Sequence, residues 1–224
     1  MAVSLRIRTL CLLLTPTDVF ADVGCDHGYC TEYMLKNGLC KKAIFSDVSK
    51  GSLRKAELLL ADYVREGKAV GVLGDGFYGV PSSVGEVLIA GMGGSEILSI
   101  LTDEKYGFLP ETFVFQPMLN ADKLRRFLIE NGGYITRDFT FKDGKYYDVI
   151  CGRRLKKGEE KQVYTDAELE FGKENLATRP AAFVERTKKQ CKDIERFLAV
   201  ESLQEESRAE LLERKARLEG VIGK

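Results

Sequence analysis

Five short apolar runs recur between Val19 and Met118: "VFADVG", "KAIFSDV", "AVGVL", "EVLIAG" and "TFVFQPM". They are rich in Val, Ile and Phe, several end in Gly, Asp or Pro, and none shows a clean polar alternation. Strands of that kind are buried on both faces, as in a parallel sheet covered by helices. The segments between them carry helical spacing. In "SLRKAELLLADYV", Leu53, Ala56, Leu60 and Val64 fall on one predicted apolar face. The pattern predicts a doubly wound α/β domain. After the helical stretch "NADKLRRFLIENGG" the rhythm changes, and "YITRDFTF" and "KYYDVICGRR" flank the turn "KDG". These predict an antiparallel hairpin that ends the sheet.

The chain has 224 residues, 44% of them apolar and 30% charged, enough for one full core and a smaller appendage. Its boundary is expected near Leu155, giving a sheet domain over 1–155 and a helical domain over 156–224. In the second part, a helix is expected from about Pro180, where proline suits a first turn. Val184, Cys191 and Leu198 recur at heptad spacing, with Thr187 and Ile194 between them. Ser202 followed by Glu205 reads as a capping box for a second helix through Leu211, Leu218 and Ile222. The two are expected to form an antiparallel coiled-coil hairpin projecting from the sheet domain. The apolar stretch of "LRIRTLCLLLTP" is too short to span a bilayer and is expected to be an amphipathic or buried helix. The six cysteines include no CxxC pair and read as free thiols in a reducing cytoplasm.

The first strand runs into "DVGCDHG", a turn with two glycines. A dinucleotide fingerprint fails here, because Asp26 and Tyr29 occupy the places of its second and third glycines. A Walker A loop fails too, since no Gly-Lys-Ser/Thr occurs. An acid, Asp22, then x-Gly-x-x-x-Gly from Gly24, is similar to the loop that class I methyltransferases wrap around S-adenosylmethionine. Asp47, 23 positions after Gly24 at the end of the second strand, is placed to accept from ribose hydroxyls. Asp75 in "GDGF" follows the third strand, where such enzymes commonly meet the adenine amino group. Val48 and Gly76 adjoin these acids and are assigned to the same site. In "IAGMGGSEIL" an Asn/Asp-Pro-Pro-aromatic motif is absent; Gly91, Gly93 and Gly94 leave the strand end without side chains, so that a flat substrate or the donor's methionine portion can approach the backbone closely, and Ala90 and Gly91 are assigned to the donor site.

"DVGCDHGY", "GDG", "IAGMGG" and "QP", in that order before a helical C-terminus, resemble the bacterial TrmK family of tRNA (adenine-22-N1)-methyltransferases. The resemblance implies a class I fold and transfer of a methyl group from S-adenosylmethionine to N1 of a D-arm adenine in cytoplasmic tRNA. The chain departs from the family's usual residues at Cys25, Gly28 and Met118. Asp26 matches the family's Asp-His pair and is the expected catalytic residue. Adenine N1 attacks with an in-plane lone pair, so a carboxylate can orient the base through N6 and stabilise the growing positive charge. His27 can reach the donor's carboxylate, hold Asp26 or cap the following helix, and Tyr29 can stack on the donor or a base. Cys25, His27 and Cys30 are too cramped for zinc and lack a fourth ligand, so no metal is expected.

The 34 basic and 34 acidic residues cancel, so RNA contacts must come from local patches. Two are basic: Arg153, Arg154, Lys156, Lys157 and Lys161 at the domain junction, and Arg186, Lys188, Lys189, Lys192 and Arg196 on the helix after Pro180. Both are candidate tRNA-docking surfaces, although a charged helix face is also simply a solvated one. A monomer without membrane attachment is expected. A class I methyltransferase acting on a small molecule or protein, and a non-catalytic helical scaffold, are the alternatives from the residues alone.

Overall fold

The computed structural model describes residues 3–200 and 203–223. Its centre is a seven-stranded sheet in the order β3-β2-β1-β4-β5-β7-β6. The strands are β1 (Thr17–Val23), β2 (Cys40–Asp47), β3 (Ala69–Leu73), β4 (Glu86–Met92), β5 (Thr112–Pro117), β6 (Gly133–Asp143) and β7 (Lys145–Arg154). The first five are parallel, and β7 inserts antiparallel between β5 and β6. The predicted hairpin is therefore present at one edge of the sheet.

Side chains alternate between two cores, as strand geometry requires. On one face Phe20, Phe45, Leu88 and Val114 pack under α1 (Leu5–Leu13), α2 (Tyr29–Lys36) and α3 (Lys50–Leu59). On the other, Ala21, Val87, Ile89, Phe113 and Phe115 meet α5 (Gly94–Leu101) and α6 (Ala121–Glu130). The helix after β2 is shorter than its apolar spacing suggests. It ends at Leu59, a short α4 (Ala61–Arg65) follows, and Val64 is exposed although Leu53, Ala56 and Leu60 are buried. No helix among the described residues is long and apolar enough to cross a membrane.

Beyond Arg154 come α7 (Asp166–Phe171), α8 (Lys173–Thr178), α9 (Ala181–Leu198) and α10 (Glu205–Ile222). The first two were not legible, because each has only six residues and too few apolar positions to show a period. The last two run antiparallel: Cys191 and Ile194 pack on Leu218, and Lys215 pairs with Glu195 at 3.0 Å. The cap of α10 differs from expectation. Its N-cap is Gln204, so Glu205 opens the helix rather than closing a capping box, and Ser202 lies outside the described residues.

The helical pair does not simply project. Arg186 on α9 donates to both oxygens of Asp148 on β7 at 2.8 Å, and Lys142 on β6 pairs with Glu185 at 2.5 Å. Deeper still, Arg125 of α6 is 1% exposed, grips Asp138 of β6 at 2.9–3.0 Å and donates to the Leu169 carbonyl of α7. Asn175 of α8, fully buried, accepts from the Thr140 amide and donates to the Thr140 hydroxyl. Polar groups from both sides of residue 155 are thus satisfied only together, which a heptad stripe does not reveal.

Candidate active site

Parallel strands present their carboxyl ends on one edge of the sheet, and ligands of open α/β folds bind in the crevice there. In this chain that edge holds a cavity of about 450 Å³ at the ends of β1, β2, β3 and β4. Its lining includes Asp22, Gly24, Asp26, His27 and Tyr29 from the first turn. Asp47, Val48, Asp75 and Gly76 come from the next two strand ends, and Ala90 and Gly91 from β4. The structure therefore brings together every residue assigned from sequence to the donor or to catalysis.

The first turn is pinned to β2 by its backbone. Gly24 and Cys25 N–H both donate to the Ser46 carbonyl at 2.9 Å, and Asp26 N–H donates to Asp47 Oδ2 at 3.1 Å. Asp47 Oδ1 accepts from Ser49 N–H at 2.8 Å, yet each carboxylate oxygen keeps a lone pair for a ligand. Gly24, Asp26 and Gly28 all have positive φ, and Asp26, at 47°, is one of three non-glycine residues in that region among those described. Aspartate tolerates this conformation better than most side chains. Here it swings the Asp26 carboxylate outward, 67% exposed, with His27 Nε2 at 3.8 Å and the His27 ring stacked on Tyr29 at 5.5 Å.

The carboxylates differ in environment. Asp22 is buried against α2 and accepts from the Thr31 hydroxyl at 2.8 Å; burial raises its pKa to about 6. It braces the turn rather than facing solvent. Burial, reinforced by Asp22 and Asp47, pushes the Cys25 thiol far up, so it is no nucleophile at neutral pH. All six cysteines are free and buried.

The sequence reading missed several lining residues, among them Ser46 and Met92 at the strand ends. Arg6 and Ile7 of α1 and Glu96 of α5 also line the cavity. Glu96 reaches back to the Gly93 N–H at 3.3 Å, a helix-start pattern visible only in retrospect. Arg6 carried no motif, because its place depends on how α1 folds across the sheet.

Beyond β5 a second, larger cleft of about 840 Å³ opens between Pro117–Asp122, the hairpin residues Tyr146 and Asp148, and the helices α7, α9 and α10. The register Phe115↔Ile150 places Asp148 and Tyr146 level with or past the end of β5, so the cleft and the cavity share one edge of the molecule. The two expected basic patches fare differently. The register Thr112↔Arg153 puts Arg153 and Arg154 at the start of β5, away from the cavity by the strand's length, about 17 Å. Arg153 is also occupied, paired with Glu159 at 2.6 Å and seated over Tyr134, and Lys161 donates to the Glu130 carbonyl. Lys156 and Lys157 follow in the same exposed loop. On α9, Arg186 is spent on Asp148, whereas Lys188, Lys189 and Lys192 are exposed, have no ion-pair partner among the described residues, and Lys189 lines the cleft.

A sheet of this order, closed by an antiparallel hairpin and carrying an acid-rich glycine turn at its carboxyl edge, defines a class I methyltransferase. The described structure superposes on B. subtilis m1A22 tRNA methyltransferase TrmK with a TM-score of 0.84 at 22% identity, covering 99% of both chains. It superposes on M. capricolum TrmK, solved with S-adenosyl-homocysteine, with a TM-score of 0.86 at 18% identity, covering 100% of this chain and 99% of the other. In sequence, the tRNA (adenine(22)-N(1))-methyltransferase of Bacillus subtilis is 28% identical over 178 residues, 75% of this chain and 71% of that one. The family TrmK, tRNA (adenine(22)-N(1))-methyltransferase, matches residues 20–221, and the chain belongs to it. Its reaction is methylation of N1 of adenine-22 in tRNA, which removes the small-molecule, protein and scaffold alternatives.

Proposed function

We propose that Asp26 is the catalytic carboxylate of this tRNA adenine-22 N1-methyltransferase, and that tRNA lies across the ends of β4 and β5 into the second cleft. The observation that carries the reading is the contrast among the acids: Asp22 is buried, Asp47 braces the turn, and Asp26 alone of the turn's carboxylates is turned outward, 67% exposed.

S-adenosylmethionine is the donor, and when bound it supplies an electrophilic methyl group. The residues present fit it. The cavity has the size of a small-ligand site. Asp47 and Asp75 offer acceptors for ribose hydroxyls and an adenine amino group, and Ser46, whose hydroxyl is buried without a partner, lines the same wall. Val48, 69% exposed beside Asp47, offers an apolar surface to a flat ring.

The N1 lone pair of the target adenine is free to attack without losing a proton, so positive charge grows on the base during transfer. Asp26 accepts from the N6 amino group, orients the ring and stabilises that charge; afterwards it can take an N6 proton from the cationic product. Holding N1 in line with the methyl group supplies much of the remaining acceleration. Lys188, Lys189 and Lys192, with Arg126 and Arg214 of the cleft, meet backbone phosphates. Arg153, Arg154, Lys156 and Lys157 fall outside this docking face. The reaction is assigned to the cytoplasm, in keeping with six free thiols, and to a monomer, since one chain supplies the whole cavity and cleft.

The test is digestion of unmodified tRNA after incubation with labelled donor, with Asp26→Asn in parallel. Asparagine keeps the left-handed backbone conformation. Turnover to 1-methyladenosine should fall roughly 10²- to 10³-fold while donor affinity persists. Undiminished turnover in the variant would remove Asp26 from the chemistry.

A further inference from the structure

The loop after β5 separates the donor cavity from the second cleft. Pro117 is the register partner of Met92; Met92 lines the cavity, and Pro117 to Asp122 line the cleft. The cleft is otherwise strongly charged, with Arg126, Lys189 and Arg214 alongside Asp122 and Asp166. Among the described residues that line it, Met118, 42% exposed, and Leu119, 71% exposed, are the only exposed large apolar side chains.

Leu119 is exposed from a fixed base. On one side of it Met118 N–H donates to the Met92 carbonyl at 2.8 Å, and the Met118 sulfur accepts from Gln116 Nε2 at 3.3 Å. Gln116 is fully buried, and its Oε1 accepts from Arg6 Nε at 2.7 Å. The Leu119 carbonyl itself accepts from Gly94 N–H at 2.7 Å, an approach that a Cβ on Gly94 would obstruct. On the other side Asn120, at φ 55°, donates through its side-chain amide to Ser95 Oγ at 3.0 Å. A singly exposed leucine needs no explanation. One whose backbone is tied on both sides, at the boundary between the donor cavity and the cleft, has a position to keep.

We propose that Leu119 is a wedge that holds adenine-22 out of its stack by entering the D-arm where the base has left it. The proposal rests on the docking of tRNA across the ends of β4 and β5. N1 of a stacked, paired adenine is out of reach of a methyl group held in a cavity, so the base has to turn out, at the cost of unstacking and unpairing. An apolar side chain that fills the vacated space returns part of that cost. Because the loop is already ordered, little entropy is lost when it does so. Leucine excludes water there and makes no hydrogen bond that would favour one neighbouring base over another. Met118 beside it offers a polarizable surface to the RNA. Leu119 is thus a positioning residue that acts through the conformation of the RNA, whereas Asp26 acts on the extruded base.

Fluorescence of 2-aminopurine at position 22 of tRNA reports unstacking, with S-adenosyl-homocysteine filling the donor site. Wild type should raise the emission on binding, Leu119→Ala should lose most of the rise, and Leu119→Met should restore it. Turnover is compared on two tRNAs, the native sequence and one with an abasic residue facing adenine-22, which leaves the base unpaired. Leu119→Ala should lower kcat roughly 10-fold on the native tRNA and little on the opened one, with donor affinity by calorimetry unchanged. Undiminished kcat on native tRNA overturns the proposal. Equal loss on both tRNAs overturns it in favour of a role in shaping the loop. If wild type methylates native tRNA yet gives no rise in emission, the wedge falls while the docking face stands. If Leu119→Ala is silent and replacing Lys188, Lys189 and Lys192 by glutamine also leaves tRNA affinity unchanged, the docking face falls with it.

Discussion

Asp22 and Asp26 stand four residues apart and do opposite things, and the difference is one of burial. The folded-state pKa of Asp22, about 6, lies above its ordinary 3.8, so the folded protein holds the proton more tightly than the unfolded chain. Stability from this group is complete below pH 3.8 and is lost as pH rises through about 6. Asp22→Asn, which can still accept from Thr31, should abolish that loss. Its stability relative to wild type should rise by on the order of 2–3 kcal/mol between pH 4 and 7, read from denaturant melts at each pH. Gly94 is a second residue whose identity is dictated by space. Its N–H donates to the Leu119 carbonyl at 2.7 Å, and an added Cβ would lie 2.3 Å from the Asn120 carbonyl oxygen. Gly94→Ala should push the Pro117–Asn120 loop away from β4 and lower kcat for tRNA more than it weakens donor binding. Equal activity would mean that the loop does not contact substrate. The glycines were visible in the sequence as "GMGG"; what each one faces was not.

At the scale of elements, α6, α7 and α8 share a buried polar network with the sheet. Removing one partner of a buried ion pair strands the other, so Arg125→Met should destabilise the protein by about 3–5 kcal/mol. The double variant Arg125→Met/Asp138→Leu should recover part of this, a coupling that urea titration of all four proteins would expose. On α9, Arg186 and the lysines were indistinguishable as letters in a basic run. Packing separated them: Arg186 holds Asp148, while Lys188, Lys189 and Lys192 remain exposed. Replacing the three lysines by glutamine should weaken tRNA binding and lower the slope of log K against log salt by roughly 2–3, with donor affinity unchanged. An unaltered salt slope would move the tRNA off this helix.

For the molecule as a whole, the chain divides differently by pattern and by contact. Composition changes near residue 155, but Arg125, Asp138 and Thr140 are completed by Leu169 and Asn175 from beyond it. A fragment ending at Leu155 should therefore fail to fold, whereas one ending at Thr178 should keep donor binding and lose tRNA affinity, measured by calorimetry and filter binding. The sequence by itself determined the sheet and its terminal hairpin, and the acid-bearing strand ends that gather around one cavity. Those features are local: apolar runs specify strands, turns demand glycine or aspartate, and every strand end of a parallel sheet reaches the same edge. Only the tertiary structure decided that Arg6 enters the cavity, that Arg153 and Arg154 lie at the far end of β5, and that short helices seal the last strands. These depend on register and on which polar groups meet across separations that run from 13 residues for Arg125 and Asp138 to 110 for Arg6 and Gln116, and no period or motif in a single stretch of sequence encodes such meetings.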